Sequence, residues 1–93
     1  MTLEAFARIP RMVALDRARE AIDRAGGYLE DVHLYSDHLA ALIAVLPEGA
    51  QLSAEGIDFA VHRIDTPETR VQIALHFPGG TGELRHVKPA VPG

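Results

Sequence analysis

Five histidines in a chain of 93 residues are the side chains best suited to bind a ligand or carry a proton here. Imidazole titrates close to neutral pH and serves as donor, acceptor or metal ligand. His33 stands between Asp31 and Tyr35 at two-residue spacing, and His76 closes a run in which Gln72 and Ala74 share its parity. Residues two apart on an extended chain point to the same side. Asp31, His33 and Tyr35 therefore form one strand face, and Gln72, Ala74 and His76 form another. If a helix covers the opposite side of the sheet, these groups gather on the bare side, joined by His62 if residues 57–64 are extended. Such a face, built on His33, Tyr35, His62 and His76, suits a small molecule or an anion.

Other chemistry is poorly supplied. No histidine pair has the four-residue helical spacing of an HExxH zinc site, and His33 and His38 straddle a turn, so no metal site is expected. No cofactor is indicated. Ser36, Asp37 and His38 are consecutive, whereas a catalytic base must reach its nucleophile from elsewhere in the fold; this triplet reads as a turn. The neighbouring acids Glu30 and Asp31 should point to opposite faces of a strand and so fail as an acid–base couple. The PGGTG stretch at 78–82 lacks the Lys-Ser/Thr of a phosphate loop and no helix follows it, so it reads as a turn. The absence of cysteine excludes thiolate catalysis, disulfides and Cys-type zinc sites. No catalytic constellation emerges.

Charge narrows the partners. The chain carries a net charge of -4, and no Lys or Arg falls between Arg24 and Arg63. Glu30, Asp31, Asp37, Glu48, Glu55 and Asp58 all lie in that interval. Nucleic-acid binding needs basic groups to displace counterions from phosphates, so nucleic acid is not an expected partner. The amino-terminal MTLEAFARIPRM lacks the basic and apolar regions of a secretory signal. The longest apolar run, 39–46, falls short of the roughly 20 residues that span a bilayer. A cytoplasmic protein without a membrane partner is expected. The bias toward arginine over lysine, with abundant alanine, resembles that of GC-rich bacterial genomes.

The elements that would position these groups follow from periodicity. Residues 3–9 read as a short strand, with Pro10 ending it and opening a helix, where a missing N–H costs nothing. Met12, Leu15, Ala18, Ile22 and Ala25 recur at three- and four-residue steps, which predicts a helix over 11–25 with an apolar stripe. Asp16, Arg17, Glu20, Asp23 and Arg24 occupy its other side, with Glu20 and Arg24 in the favourable i,i+4 order. Gly26 and Gly27 stop it. A strand follows over 28–35, with Tyr28, Glu30, Val32 and Leu34 on one face and Leu29, Asp31, His33 and Tyr35 on the other. The run 39–46 is apolar on both faces and should be a central strand. Residues 52–64 read either as a helix interrupted by Gly56 or, preferably, as a strand from Ile57 with Ile57, Phe59 and Val61 inward and Asp58, Ala60 and His62 outward. Pro67 would turn the chain at 65–69. Arg70 to Phe77 alternates cleanly, with Val71, Ile73, Leu75 and Phe77 on one side. Residues 85–93 read as a loose tail.

These elements predict one domain over 1–84 of the α+β class. It is a two-layer sandwich with one or two helices on one face of a mostly antiparallel sheet of four or five strands; a helix at 52–64 would give ferredoxin-like order. A chain this short has a thin stability margin, and self-association is a common remedy. The expected function is that of a small non-enzymatic binding or protein-interaction domain, homodimeric through the sheet face that the helix leaves bare. The rival is a small-ligand sensor or minor enzyme using His33, Tyr35 and His76.

Overall fold

The computed structural model describes residues 1–66 and 69–77. In chain order the elements are β1 (Thr2–Ala7), α1 (Arg11–Arg24), β2 (Tyr28–Leu34), β3 (Leu39–Val45), β4 (Ile57–Phe59) and β5 (Arg70–His76). The five strands form one sheet in the order β2-β3-β5-β1-β4. Only β1 and β5 run parallel; the other neighbours are antiparallel. The result is an α+β two-layer arrangement, one helix on a mostly antiparallel open sheet. Residues 52–64 contain the strand β4 and no helix, so the ferredoxin-like order is not realised. Gly56 explains why: its φ is +85° and a Cβ would sit 2.7 Å from Ile9 Cγ2, which suits a tight turn and not a helical interior. The expected turn at Pro67, the PGGTG stretch and the tail at 85–93 lie outside the described residues.

The covered face of the sheet is apolar throughout. Leu3, Ala5 and Ala7 of β1, Ala40, Leu42 and Ala44 of β3, Ile57 and Phe59 of β4, and Val71, Ile73 and Leu75 of β5 are all buried. The paired residues Leu3 and Ile73, Ala5 and Leu75, and Leu42 and Ile73 put these side chains on one side. Against them α1 presents Ala14, Ala18, Ala21 and Ile22. Three alanines let the helix come close to the sheet, and β-branched and leucine side chains fill the space between. The stripe is rotated from the one expected: Met12 is 56% exposed, because it lies roughly 120–180° around the helix from the buried alanines. Leu46, Ala50, Leu52, Ile64 and Phe77 complete the core, and 50–64 doubles back through Leu52 N–H to His62 O and Ile64 N–H to Ala50 O.

Two glycines set how α1 delivers the chain to β2. Gly26 N–H donates to Asp23 O and Gly27 N–H to Ile22 O, the paired bonds of a Schellman cap. Gly26 takes the left-handed φ of +93° that this cap requires. Gly27 has a different constraint: a Cβ there would lie 2.0 Å from Val45 O, since β2 starts hard against the end of β3. No helix among the described residues is long and apolar enough to cross a membrane.

Gly27→Ala should therefore cost about 3 kcal/mol, because backbone must move. Gly49→Ala meets only Arg63 at 3.9 Å and suffers its φ of +87° alone, a cost of about 1 kcal/mol. Urea unfolding of both variants tests this; equal losses would show that close approach at Gly27 is not the constraint.

Candidate functional site

The face away from α1 is built from the alternate residues of the same strands. Across the sheet, Asp31, Ile43, Gln72 and Thr2 make one row; His33, Ala41, Ala74 and Glu4 make the next; Leu39, His76, Phe6 and Asp58 make a third. Tyr28, Val45 and Arg70 form a further row at the opposite end from Phe6. Leu39, Ile43 and Val45 are half-buried on this side and Ala41 is buried, so the strand expected to be apolar on both faces is so. Its position between β2 and β5 is the reason.

The open face is not the one read from simple alternation along β2. The register slips between Leu29 and Asp31, leaving Glu30 as an extra residue in a bulge. Leu29 therefore joins Val32 and Leu34 on the helix side, and Tyr28 joins Asp31 and His33 on the open side. Val32 and Leu34 remain exposed at the edge of the sheet. Glu30 and Asp31, expected to point apart, both reach partners on the open face. Glu30 Oε2 accepts from Arg70 Nη2 at 2.9 Å, and Asp31 Oδ2 lies 3.0 Å from His33 Nε2.

His33 and His76 both project from this face, and the helix lies on the other. They belong to separate clusters. Two strands and two residues divide them, about 12 Å at the backbone from ordinary sheet spacings. His33 is held by Asp31 and packs on Tyr35, with ring centroids 6.4 Å apart. His76 Nε2 contacts Glu4 Oε1, and its ring stacks on Phe6 at 4.8 Å and 15°. His62 is not among them. The strand β4 ends at Phe59, and His62 stands exposed on the 50–64 hairpin, where its carbonyl receives Leu52 N–H. His38 bridges the β2–β3 turn to the end of β5, its Nδ1 3.3 Å from Phe77 O while Phe77 N–H donates to His38 O. That is a positioning role for the triplet 36–38, whose Ser36 Oγ accepts from His38 N–H, as turn chemistry requires.

Four members of the face escaped the sequence reading: Glu4, Phe6, Arg8 and Tyr28. Thr2, Glu4 and Phe6 alternate with Leu3, Ala5 and Ala7, which was a readable signal for the first two. The parallel pairing of β1 with β5 brings them to His76, and no local pattern announces a partner about seventy residues away. Arg8 Nε donates to Asp58 Oδ2 at 3.0 Å, and that hydrogen bond and the carboxylate charge hold the guanidinium above its ordinary pKa range.

A concavity of about 260 Å³ lies between α1 and residues 54–55, lined by Arg17, Glu20, Arg24, Ala54 and Glu55. Arg24, expected to pair with Glu20, instead donates to Ser53 O at 2.8 Å, and Arg17 donates to Glu55 O at 3.0 Å. Both guanidinium groups thus clamp the hairpin to the helix, and two carboxylates offset their charge. Among the described residues no three His, Cys, Asp or Glu side chains cluster as a metal site would need. Comparison of the chain with family models, curated proteins and solved structures finds no match.

The Glu4–His76 contact is exposed enough for solvent to screen it. A double-mutant cycle with Glu4→Gln and His76→Ala should give a coupling of about 0.5–1 kcal/mol in low salt that shrinks in molar salt. A coupling of zero at neutral pH and below would show that the two side chains do not interact.

Proposed function

We propose that this chain is a non-enzymatic interaction domain whose partner is a second copy of itself, joined through the open face of the sheet. The observation that carries this reading is the composition of that face. An apolar band of Leu39, Ala41, Ile43, Val45, Ala74 and Phe6 crosses its middle, and Tyr28 and Phe6 stand exposed on it. Each acid on the same face has a partner within one copy: Glu30 pairs with Arg70 and Asp58 with Arg8, while Glu4 contacts the His76 imidazole and Asp31 that of His33. The two arginine pairs remove part of the like-charge repulsion that a face meeting its own image would otherwise feel.

The edges of the sheet favour face-to-face over edge-to-edge association. The edge strand β4 has three residues, and β2 carries a bulge and two acids. Short length, bulges and charge are the ordinary means by which exposed edges resist pairing. Four strands at ordinary spacings offer on the order of 500 Å² per copy, below the roughly 800 Å² of a standard interface. The dimer should accordingly be weak, with a dissociation constant in the micromolar range. Size-exclusion chromatography with light scattering, run from micromolar to millimolar chain, should give a mass that rises from one copy to two. A single-copy mass at the highest concentration would overturn the proposal.

A second reading rests on the Asp31–His33–Tyr35 cluster, in which a carboxylate-held imidazole packs beside a phenol, as a ligand sensor would need. A small anion or metabolite bound there should raise the melting temperature of the parent chain and not of His33→Ala. Equal shifts in both would eliminate it.

A further inference from the structure

The outer side of β2 is a place where the sheet could continue, because β2 is the terminal strand and β3 is its one neighbour among the described strands. In an antiparallel pair the backbone groups of successive residues turn alternately toward the partner and away from it. Tyr35 N–H donates to Leu39 O. Positions 35, 33 and 31 therefore face β3, and the N–H and C=O of Val32 and Leu34 point outward. The side chains of these two residues are 36% and 52% exposed, and Tyr35 beside them is 65% exposed. Strand-forming apolar residues on a free edge are a pairing hazard.

One of the outward donors is already taken. Val32 N–H donates to Asp31 Oδ1 at 2.8 Å, while Asp31 Oδ2 lies 3.0 Å from His33 Nε2. Its two oxygens thus hold the carboxylate between the strand edge and the imidazole. Consider a second copy whose β2 approaches antiparallel, with its Leu34 opposite Val32. This register is two-fold symmetric, as an association of identical chains requires, and it sets the exposed Val32 of each copy beside the exposed Leu34 of the other. Both copies would have to donate from Val32 N–H to the incoming Leu34 carbonyl. Asp31 Oδ1 stands where that carbonyl would have to stand. We infer that Asp31 guards the β2 edge: its carboxylate occupies the Val32 N–H and so stops the sheet from continuing into a second copy. The guard acts through its hydrogen bond, beyond the charge that any acid would bring to an edge. It concerns a different surface from the open face and does not rest on association there.

Asp31→Ala removes the acceptor, whereas Asp31→Asn removes the charge and keeps an acceptor oxygen. The Asp31 side chain is 58% exposed, so both variants should fold, which circular dichroism and melting check. In light scattering across a dilution series, Asp31→Ala should associate at concentrations at least about tenfold below those the parent needs, since each copy gains a free donor. Asp31→Asn should stay close to the parent. Adding Leu34→Lys to Asp31→Ala should reverse the gain, because lysine on an edge opposes pairing. The Val32 and Leu34 amides of Asp31→Ala should exchange with deuterium more slowly in concentrated than in dilute solution. If Asp31→Ala associates no more readily than the parent, Asp31 guards nothing. If Asp31→Asn associates as readily as Asp31→Ala, charge and not the hydrogen bond closes the edge. If Leu34→Lys leaves the gain intact, or the two amides exchange at the same rate throughout, the association runs through another surface. Each of these three results refutes the guard, whether or not the parent pairs through its open face.

Discussion

The sheet depends on where β5 inserts. It lies between β3 and β1, antiparallel to one and parallel to the other, and among the described residues it alone joins the β2–β3 hairpin to the β1–β4 pair. Its inward side chains Val71, Ile73 and Leu75 are fully buried. Remove it and two two-stranded pieces remain, neither of which is stable alone in water. The central strand thus comes from the last described part of the chain, and its partner β1 comes from the first. Such long-range pairing delays the gain of contacts until large loops have closed, a topology associated with slower folding.

The same insertion creates the open face. β5 brings Gln72, Ala74 and His76 beside Thr2, Glu4 and Phe6 on one flank and beside Leu39, Ala41 and Ile43 on the other. A polar strand edge, an apolar centre and an imidazole are assembled from three separate parts of the chain. The helix α1 cannot cover both sides, and its alanine stripe matches the more fully apolar one. What is left over is a surface apolar along β3, with Phe6 and Tyr28 exposed and its acids each in contact with an arginine or a histidine. That combination is the ground on which a second copy of the chain is proposed as its occupant.

Local devices keep the arrangement from slipping. The Schellman cap and Gly27 fix where β2 begins against Val45, and the bulge at Glu30 then shifts the rest of β2 by one residue. Without the bulge, Val32 and Leu34 would share a side with Tyr28, and Leu29 would turn outward. With it, Leu29 packs on the core and Tyr28 stands beside Val45 and Arg70. Arg17 and Arg24 hold the 50–64 hairpin to α1 through carbonyl hydrogen bonds, closing the end of the core that the single helix leaves open.

Elements whose evidence lies within a dozen residues were legible in the chain itself. The helix after Pro10, its glycine stop, the alternating strand at 70–76 and the two-sided apolar strand at 39–45 all follow from side-chain period and turn chemistry. The preference for a strand from Ile57 followed from β-branched and aromatic content and from Gly56, although the strand ends at Phe59 and not beyond His62. The side of the sheet from which His33 and His76 project was also correctly placed, because period two allows only two choices. Three matters belonged to the tertiary structure alone: the bulge that reassigns Tyr28 and Leu29, the parallel pairing that gives His76 its neighbours Glu4 and Phe6, and the departure of His62 from the sheet. Each depends on which backbone lies alongside, and hydrogen bonds between distant strands leave no trace in local periodicity.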